Sequence, residues 1–304
     1  MKQKRLVLIA FCLVIGISEQ IQAQVFLKAE YIGSSKFKDE NNEETSGKGD
    51  AKVVQGGFNI PFYMKMNENN RPTAWGISLG GSYTKMSNTN LGEHILSPEI
   101  VNTQLSLSHI RPISNKVSIL ATLGIGVYTD QTSVSEISFD NVLGSGGVIF
   151  VWHLLKNLDL GVGLALNTTF GYPMVFPTFY LNWRLDGRYY VNVSMINAAE
   201  LTAGVRLHKN FHLNLVCEMN GALALTKIED KKKMFSHQYI IVGLQPEIKL
   251  TKSLSIPLTA GFSAERTAQY QDRSLKAFFK SMGEEYVPHF KPAFYASAAI
   301  KYGF

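Results

Sequence analysis

The stretch Phe294-Tyr295-Ala296-Ser297-Ala298-Ala299-Ile300-Lys301-Tyr302-Gly303-Phe304 decides the fold. Successive side chains of a β-strand point to opposite faces. Phe294, Ala296, Ala298, Ile300, Tyr302 and Phe304 therefore share an oily face, and Tyr295, Ser297, Ala299, Lys301 and Gly303 share a wetter one. The segment reads as a strand with one apolar and one polar face, ending on an aromatic residue.

The same pattern recurs from Val25 onward. Leu158, Leu160, Val162, Leu164 and Leu166 alternate with Asp159, Gly161, Gly163, Ala165 and Asn167. Leu201 to Leu207, Phe211 to Met219 and Leu254 to Phe262 repeat it, as does Val117 to Val127. A soluble β-sandwich also alternates, but does not sustain oily faces over so many strands of ten or more residues. In lipid a backbone amide has no solvent partner, so a sheet that crosses a membrane closes on itself. The expected fold is all-β: a transmembrane antiparallel up-and-down β-barrel of about fourteen strands. Loss of the connection at Asn197-Ala198 would make twelve, and the strand near Leu143 to Leu154 alternates poorly.

Turn chemistry orients the barrel. Short polar connections at Asn67 to Pro72, Ser114-Asn115, Lys156-Asn157, Asp186-Gly187, Lys209-Asn210 and Lys252-Ser253 suit tight hairpins. The alternate connections read as longer: Ser34 to Asp50, Met86 to Pro98, Asp130 to Asn141, Lys227 to Ser236 and Thr267 to Lys291. Short periplasmic turns and long extracellular loops are the outer-membrane arrangement. Tyr31, Phe62, Trp75, Tyr83, Trp152, Trp183, Tyr189 and Tyr302 fall near strand ends, as interfacial girdles require. Pro61, Pro246 and Pro257 interrupt strands and imply bulges or shifted boundaries.

The amino-terminal end fits export. Lys2, Lys4 and Arg5 precede an apolar run from Leu6 to Ile17, and Ile21-Gln22-Ala23 offers a small-residue cleavage site. Ser18-Glu19-Gln20 interrupts the run before the roughly 20 residues that a spanning helix needs. Residues 1–23 are thus expected to be a signal peptide and residues 24–304 the barrel. Cleavage leaves 27 Lys plus Arg against 23 Asp plus Glu, a mild and dispersed net charge of +4. Nucleic acid is a poor partner for such a surface. Only Cys217 survives processing, which excludes an intrachain disulfide.

Three stretches carry a resemblance. They are Val54 to Pro61 leading to Trp75 to Tyr83, Pro177 to Leu185 leading across Asp186-Gly187 to Tyr189 to Val193, and the terminal strand. Together they resemble a family of Gram-negative outer-membrane barrels classed as a domain of unknown function. The terminal Phe304, two residues after Tyr302, resembles the signal read by the barrel assembly machinery, which makes Phe294, Ile300, Tyr302 and Phe304 the candidate assembly strand. The resemblance implies fold, outer-membrane lipid and assembly machinery as partners, and no activity or functional residue.

Chemistry is sparse. Ser108-His109 and Ser236-His237 are adjacent residues on opposite faces, which spoils a nucleophile–base contact. His94 and His289 lie in loops with Glu93, Glu284 and Glu285 nearby, without a fixed geometry. His208 and His212 flank a tight turn, where an ordinary polar lumen explains them better than a metal site. No cofactor or metal is expected, and no catalytic residue. Leu275, Phe278, Phe279 and Met282 recur at helical spacing, so a short amphipathic helix is expected over Asp272 to Met282, capped by Asp272. The lumen-facing candidates are Asp159, Arg184, Arg188, Glu200, Arg206, Glu218, Glu247, Lys249, Glu265 and Lys301. Fourteen strands lie between the eight that side chains fill and the sixteen to eighteen that leave an aqueous channel. The expected function is a non-enzymatic channel or passive transporter for small-molecule solutes. A non-conducting barrel acting through its loops and, more weakly, a rim-sited hydrolase are the alternatives.

Overall fold

Each alternating segment forms a strand and pairs with its neighbour in sequence. The computed structural model describes residues 24–303, except 40, 69–70, 92–96, 170–172, 196–198, 275 and 278–286. Residues 1–23 and Phe304 thus lie outside the described residues. The strands are β1 (Gln24–Lys38), β2 (Glu44–Met66), β3 (Pro72–Thr89), β4 (Glu99–Pro112), β5 (Val117–Thr129), β6 (Val142–Leu155) and β7 (Leu158–Asn167). They continue as β8 (Met174–Leu185), β9 (Tyr189–Met195), β10 (Ala199–His208), β11 (Phe211–Ile228), β12 (Lys231–Lys249) and β13 (Leu254–Asp272). Two last strands, β14 (His289–Phe290) and β15 (Ala293–Tyr302), complete the chain.

Neighbours pair antiparallel from β1 to β13, and β15 pairs with both β13 and β1, which closes the ring. Phe290 of β14 lies opposite Phe37 and Arg266, on the same two partners as β15. The fifteen strands therefore occupy fourteen staves. β9 and β10 are separate strands paired antiparallel, with Met195 opposite Ala199, so the twelve-strand alternative falls.

The short turns and both described chain ends lie at one rim, called here the turn end; the other rim is the loop end. Several loop-end connections are shorter than the sequence implies, whereas Asp130 to Asn141 keeps its full length between β5 and β6. Most of Ser34 to Asp50 is strand, since β1 runs to Lys38 and β2 starts at Glu44. Lys227 to Ser236 shrinks to the turn at Glu229-Asp230, whose φ values of 50° and 58° are the left-handed backbone that a two-residue hairpin demands. Asp272 is not a helix cap: it ends β13 opposite Lys233. The described helical residues are Lys276 and Ala277, and the Ala277 N–H donates to Ser274 Oγ (3.2 Å). Leu275, Phe278, Phe279 and Met282 lie outside the described residues.

Outward parity carries an apolar band right round the ring. Leu123, Phe179 and Phe262 are 67%, 65% and 63% exposed, and Leu27, Val54, Leu105, Val162, Leu244, Ile300 and Tyr302 continue it. At the turn end Trp75 stacks on His109 across the ladder, with ring centres 4.1 Å apart.

Above this band three adjacent staves reverse their parity at one level. Inward Ile32 is followed by Gly33-Ser34 and then by inward Phe37, at a bulge against β2. Inward Ser263 is followed by exposed Ala264 and Glu265 and then by inward Arg266, at a bulge against β12. Inward Ala293 and Phe290 flank exposed Lys291 and Pro292, where proline has no N–H to give the ladder. Bulges bend a strand and increase its twist. Aligned across β13, β14/β15 and β1, they form a corner.

Beyond the corner the sheet wraps into a smaller cylinder. A single apolar cluster there takes Ile32 and Phe37 from β1, Val53 from β2, Met86 from β3, Ile100 from β4 and Ala224 from β11. Phe235 and Ile241 of β12, Ala268 of β13, Phe290 and Tyr295 also belong to it, with no member from β5 to β10 among the described residues. Eight staves enclose it, a number that side chains fill completely. Ala298, on outward parity below the corner, tests the register. Ala298→Arg should cost about 2–4 kcal/mol if the residue faces the middle of a bilayer. Denaturant titration followed by heat-modifiable gel mobility checks this, and unchanged stability contradicts the assigned face.

Candidate functional site in the barrel lumen

The lumen has three levels. At the turn end the inner faces are polar. His153 Nδ1 lies 2.6 Å from Asp159 Oδ1, and its Nε2 lies 2.8 Å from Ser118 Oγ. Three neighbouring strands thus line up Ser118, His153 and Asp159 in the hydrogen-bond order of a serine hydrolase. Arg71 reaches in from the β2–β3 turn to 4.0 Å from Asp159. Ser118 is only 1% exposed, so a substrate carbonyl has no approach to its Oγ in this conformation. The network is best read as cement between β5, β6 and β7. Sequence reasoning missed it because Ser118 and His153 lie far apart in the chain.

The second level is a polar septum. Glu30 is 5% exposed and accepts from Gln55 Nε2 (2.6 Å), Tyr239 OH (3.2 Å) and Tyr295 OH (2.5 Å). Lys28 Nζ stands 3.3 Å from Glu30 and 2.7 Å from Glu218. Glu200 lies across the ladder from Glu218, and Lys301 follows on β15. A buried carboxylate is tolerable only when paired and hydrogen-bonded, and side chains from four strands converge here to satisfy one. The inward positions of the first strand, Lys28 and Glu30 between outward Leu27, Ala29 and Tyr31, were the available signal.

The third level is the loop end. β11 pairs with β10 only as far as Glu218, and its outer half swings across the lumen. There Ala222 and Ala224 are buried on one face and Leu225 on the other. Ala222 and Ala224 join the eight-stave core, while Leu225 packs with Leu143 of β6, Met234, Tyr128 of β5, and Met174 and Phe176 of β8. The free edge is satisfied by side chains. Asn102 on β4 donates from Nδ2 to the Leu223 carbonyl (2.5 Å), and its Oδ1 accepts from the Leu223 N–H (3.0 Å). Asn141 Nδ2 donates to the Leu225 carbonyl (2.7 Å).

Asp140 clasps this hairpin to the rim. Its carboxylate meets Lys227 at 2.6 Å and Lys232 at 2.8 Å, and its carbonyl accepts from Arg273 Nη1 (3.2 Å). Arg273 Nε also donates to the Thr169 carbonyl (2.9 Å), which ties the β7–β8 connection to the same point. The two lysine partners hold the Asp140 carboxyl down to about 2. Beside the clasp lies a charged cavity of about 380 Å³. Behind the hairpin lies a cleft of about 460 Å³ whose polar lining includes Asn102, Thr169, Ser236, Gln238, Gln269 and Gln271, without a charged side chain.

The structure distributes the candidate residues unevenly. Asp159, Glu218, Glu247, Lys249 and Lys301 lie on inner faces; Glu247 stands 3.8 Å from His212 and 3.6 Å from Lys249. Arg206 lies over the Tyr190 ring at 5.2 Å and 3.4 Å from Asp186. Arg184 and Glu200 keep inward parity but are exposed at the ends of their strands. Two candidates are misplaced. Arg188 lies in the β8–β9 turn with its guanidinium 6.0 Å from the outward Tyr189 ring. Glu265 faces out because the bulge at Ala264 reverses parity, and Arg266 takes the inner position. Buried Arg266 donates to the Gly49 carbonyl (2.6 Å) and lies 3.7 Å over the Phe290 ring. His208 lies opposite Phe211 after a bulge, so it does not join His212. Among the described residues no group of three His, Cys, Asp or Glu is arranged to hold a metal.

This architecture is a fourteen-stave barrel with a side-chain plug. The chain belongs to the family described as "Domain of unknown function (DUF6268)", whose model matches residues 19–303. No curated protein matches it. It is similar over its whole length, at 13% identity and a TM-score of 0.36, to 95% of the translocator domain of autotransporter NalP from Neisseria meningitidis. An outer-membrane channel from Pseudomonas putida F1 is 7% identical, with a TM-score of 0.42 and coverage of 94% of this chain and 96% of that one. The Pseudomonas putida toluene transporter TodX is 9% identical, at 0.39, with 93% and 89% covered. At such scores these likenesses add nothing to what the ladder establishes by itself.

Two outcomes follow from the geometry. A fluorophosphonate probe should leave Ser118 unmodified, as read by mass spectrometry; labelling there would make the turn-end network catalytic. The Asp140 carboxyl titrates below its ordinary range, so the clasp is intact above that range and is lost as pH falls through about 2. The protection of the Lys227 to Lys233 amides, as the exchange rate relative to that of the unstructured chain at the same pH, should therefore be high at pH 4 and fall near pH 2. In Asp140→Asn it should be low at both.

Proposed function

We propose that this chain is an integral outer-membrane barrel and a gated passive route for small molecules, closed in the conformation described. The supporting observation is how the lumen is shut. The β11–β12 hairpin lies across it, laddered to β13 along β12, while its β11 edge is held by two asparagine side chains and the ion-pair clasp at Asp140 instead of a neighbouring strand. Such contacts are modest singly, about 0.5–1.5 kcal/mol for a neutral hydrogen bond and less for an exposed ion pair, so they suit a displaceable element.

Membrane residence rests on the outward band. Soluble monomers rarely expose apolar patches beyond a few hundred Å², whereas here apolar side chains circle the ring. Residues 1–23 act as the export signal, with the turn end periplasmic and the loop end extracellular. The terminal strand, with Tyr302 and Phe304, is the element read by the assembly machinery. The buried Ser118 favours a non-enzymatic role.

Planar-bilayer recording tests the route. Wild-type protein should show rare, brief openings, and the Asn102→Ala/Asp140→Asn double variant should conduct persistently. Silence of both at every voltage overturns the passage and leaves a barrel that binds through its loops.

A further inference from the structure

The ladder leaves a gap in the wall. β9 has 7 residues, fewer than the ~9–11 that cross a bilayer. Among the described residues its pairing with β8 covers Leu181 to Leu185, and Met174 to Tyr180 pair with β7 alone. Across the β9–β10 hairpin, β11 has left β10 after Glu218. There β11 turns its free edge to Asn102 of β4, so among the described residues the β8 edge above this hairpin has no ladder partner.

The β8 edge lies at the depth of the apolar band, because its β7 partners include exposed Val162, Leu164 and Leu166. At that depth an unpaired backbone edge is tolerated only beside protein or a water-filled or ligand-filled cavity. Pro177, in the middle of the edge, has no N–H to leave unpaired. The side chains change character at the same place. Lower on β8 the inward residues are Asn182 and Arg184, then Tyr180 and Thr178; at the loop end they are Met174 and Phe176, which pack against Leu143, Leu225 and Met234. Val175 and Phe179 on the outside are 58% and 65% exposed. At its loop end β8 is apolar on both faces, and Met174 and Phe176 meet the cluster whose Leu223 and Met234 also line the cleft behind the hairpin.

The cleft supplies the other half of the recognition. Its polar lining is amides and hydroxyls without charge, on strand faces that carry Val242, Leu244, Leu258 and Phe262 lower down. We infer that the gap is a lateral window for a single-chain amphiphile with an uncharged polar head, the head in the cleft and the tail leading to the bilayer. The inference rests on the membrane reading above but not on ion conductance.

Photo-crosslinking of the full barrel in phosphatidylcholine vesicles tests it. Benzoylphenylalanine replaces Phe176 (inward, at the window), Phe179 (outward) or Gln104 (inward, on sealed β4), and the probe is an alkyne-tagged monoacylglycerol. Adducts are expected at 176 and 179 and none above background at 104. Absence at 176 with labelling at 179 overturns the window alone. Absence at 179 overturns the membrane reading and the window with it. Labelling at 104 equal to that at 176 means entry by another route and also overturns the window. Equal labelling at 176 by an alkyne-tagged alkyl sulfate overturns the uncharged head. If the Phe176 variant does not fold, judged by heat-modifiable mobility, Met174 takes its place.

Discussion

Every backbone N–H and C=O of a sheet needs a partner, and one strand here finds its partner outside the ladder. Where β11 parts from β10, the Asn102 amide offers Leu223 one donor and one acceptor, as a paired residue in a neighbouring strand would. That substitution lets β11 cross the lumen. Eight staves can then close on themselves within a ring of fourteen, and a filled core can sit inside a barrel too wide for side chains to fill. The corner through Ser34, Ala264 and Pro292 supplies the bend that the smaller cylinder needs.

Charge follows the same geometry. Burial makes ionised groups expensive, and Glu30 is met by three donors and a lysine at the level where the polar lumen gives way to the apolar core. Arg266, above the corner, is held by one carbonyl and the face of Phe290. Asp140 is different, because its carboxylate meets two lysines at the exposed rim. Its worth is therefore positional, in joining the plug to the wall, rather than a large share of stability.

Much of the fold is legible in the sequence because period two is a local property. The strand count, the outward face of the terminal strand and the short turns follow from residues adjacent in the chain. The sequence reading misses whatever depends on an inserted residue. One extra residue at Ala264 exchanges Glu265 for Arg266 on the inner face, and one at Leu207 separates His208 from His212. Loop lengths fail similarly: Lys36 to Asp50 is charged and rich in Asn and Gly, as a loop would be, yet most of it is strand supported by β1 and β3. Contacts between distant segments, such as Asn102 with Leu223 or Ser118 with His153, leave no mark in a single sequence.

The membership of the eight-stave core also sets an order in time. It draws on β1 to β4 and on β11 to β15, the two ends of the described chain. Contacts so distant in sequence form late, since closing a long loop must precede any gain from the contact. Closure of the wall and completion of the plug therefore coincide, when the last stave seats against the first. A chain caught before that step is an open sheet, and the finished protein is a filled barrel.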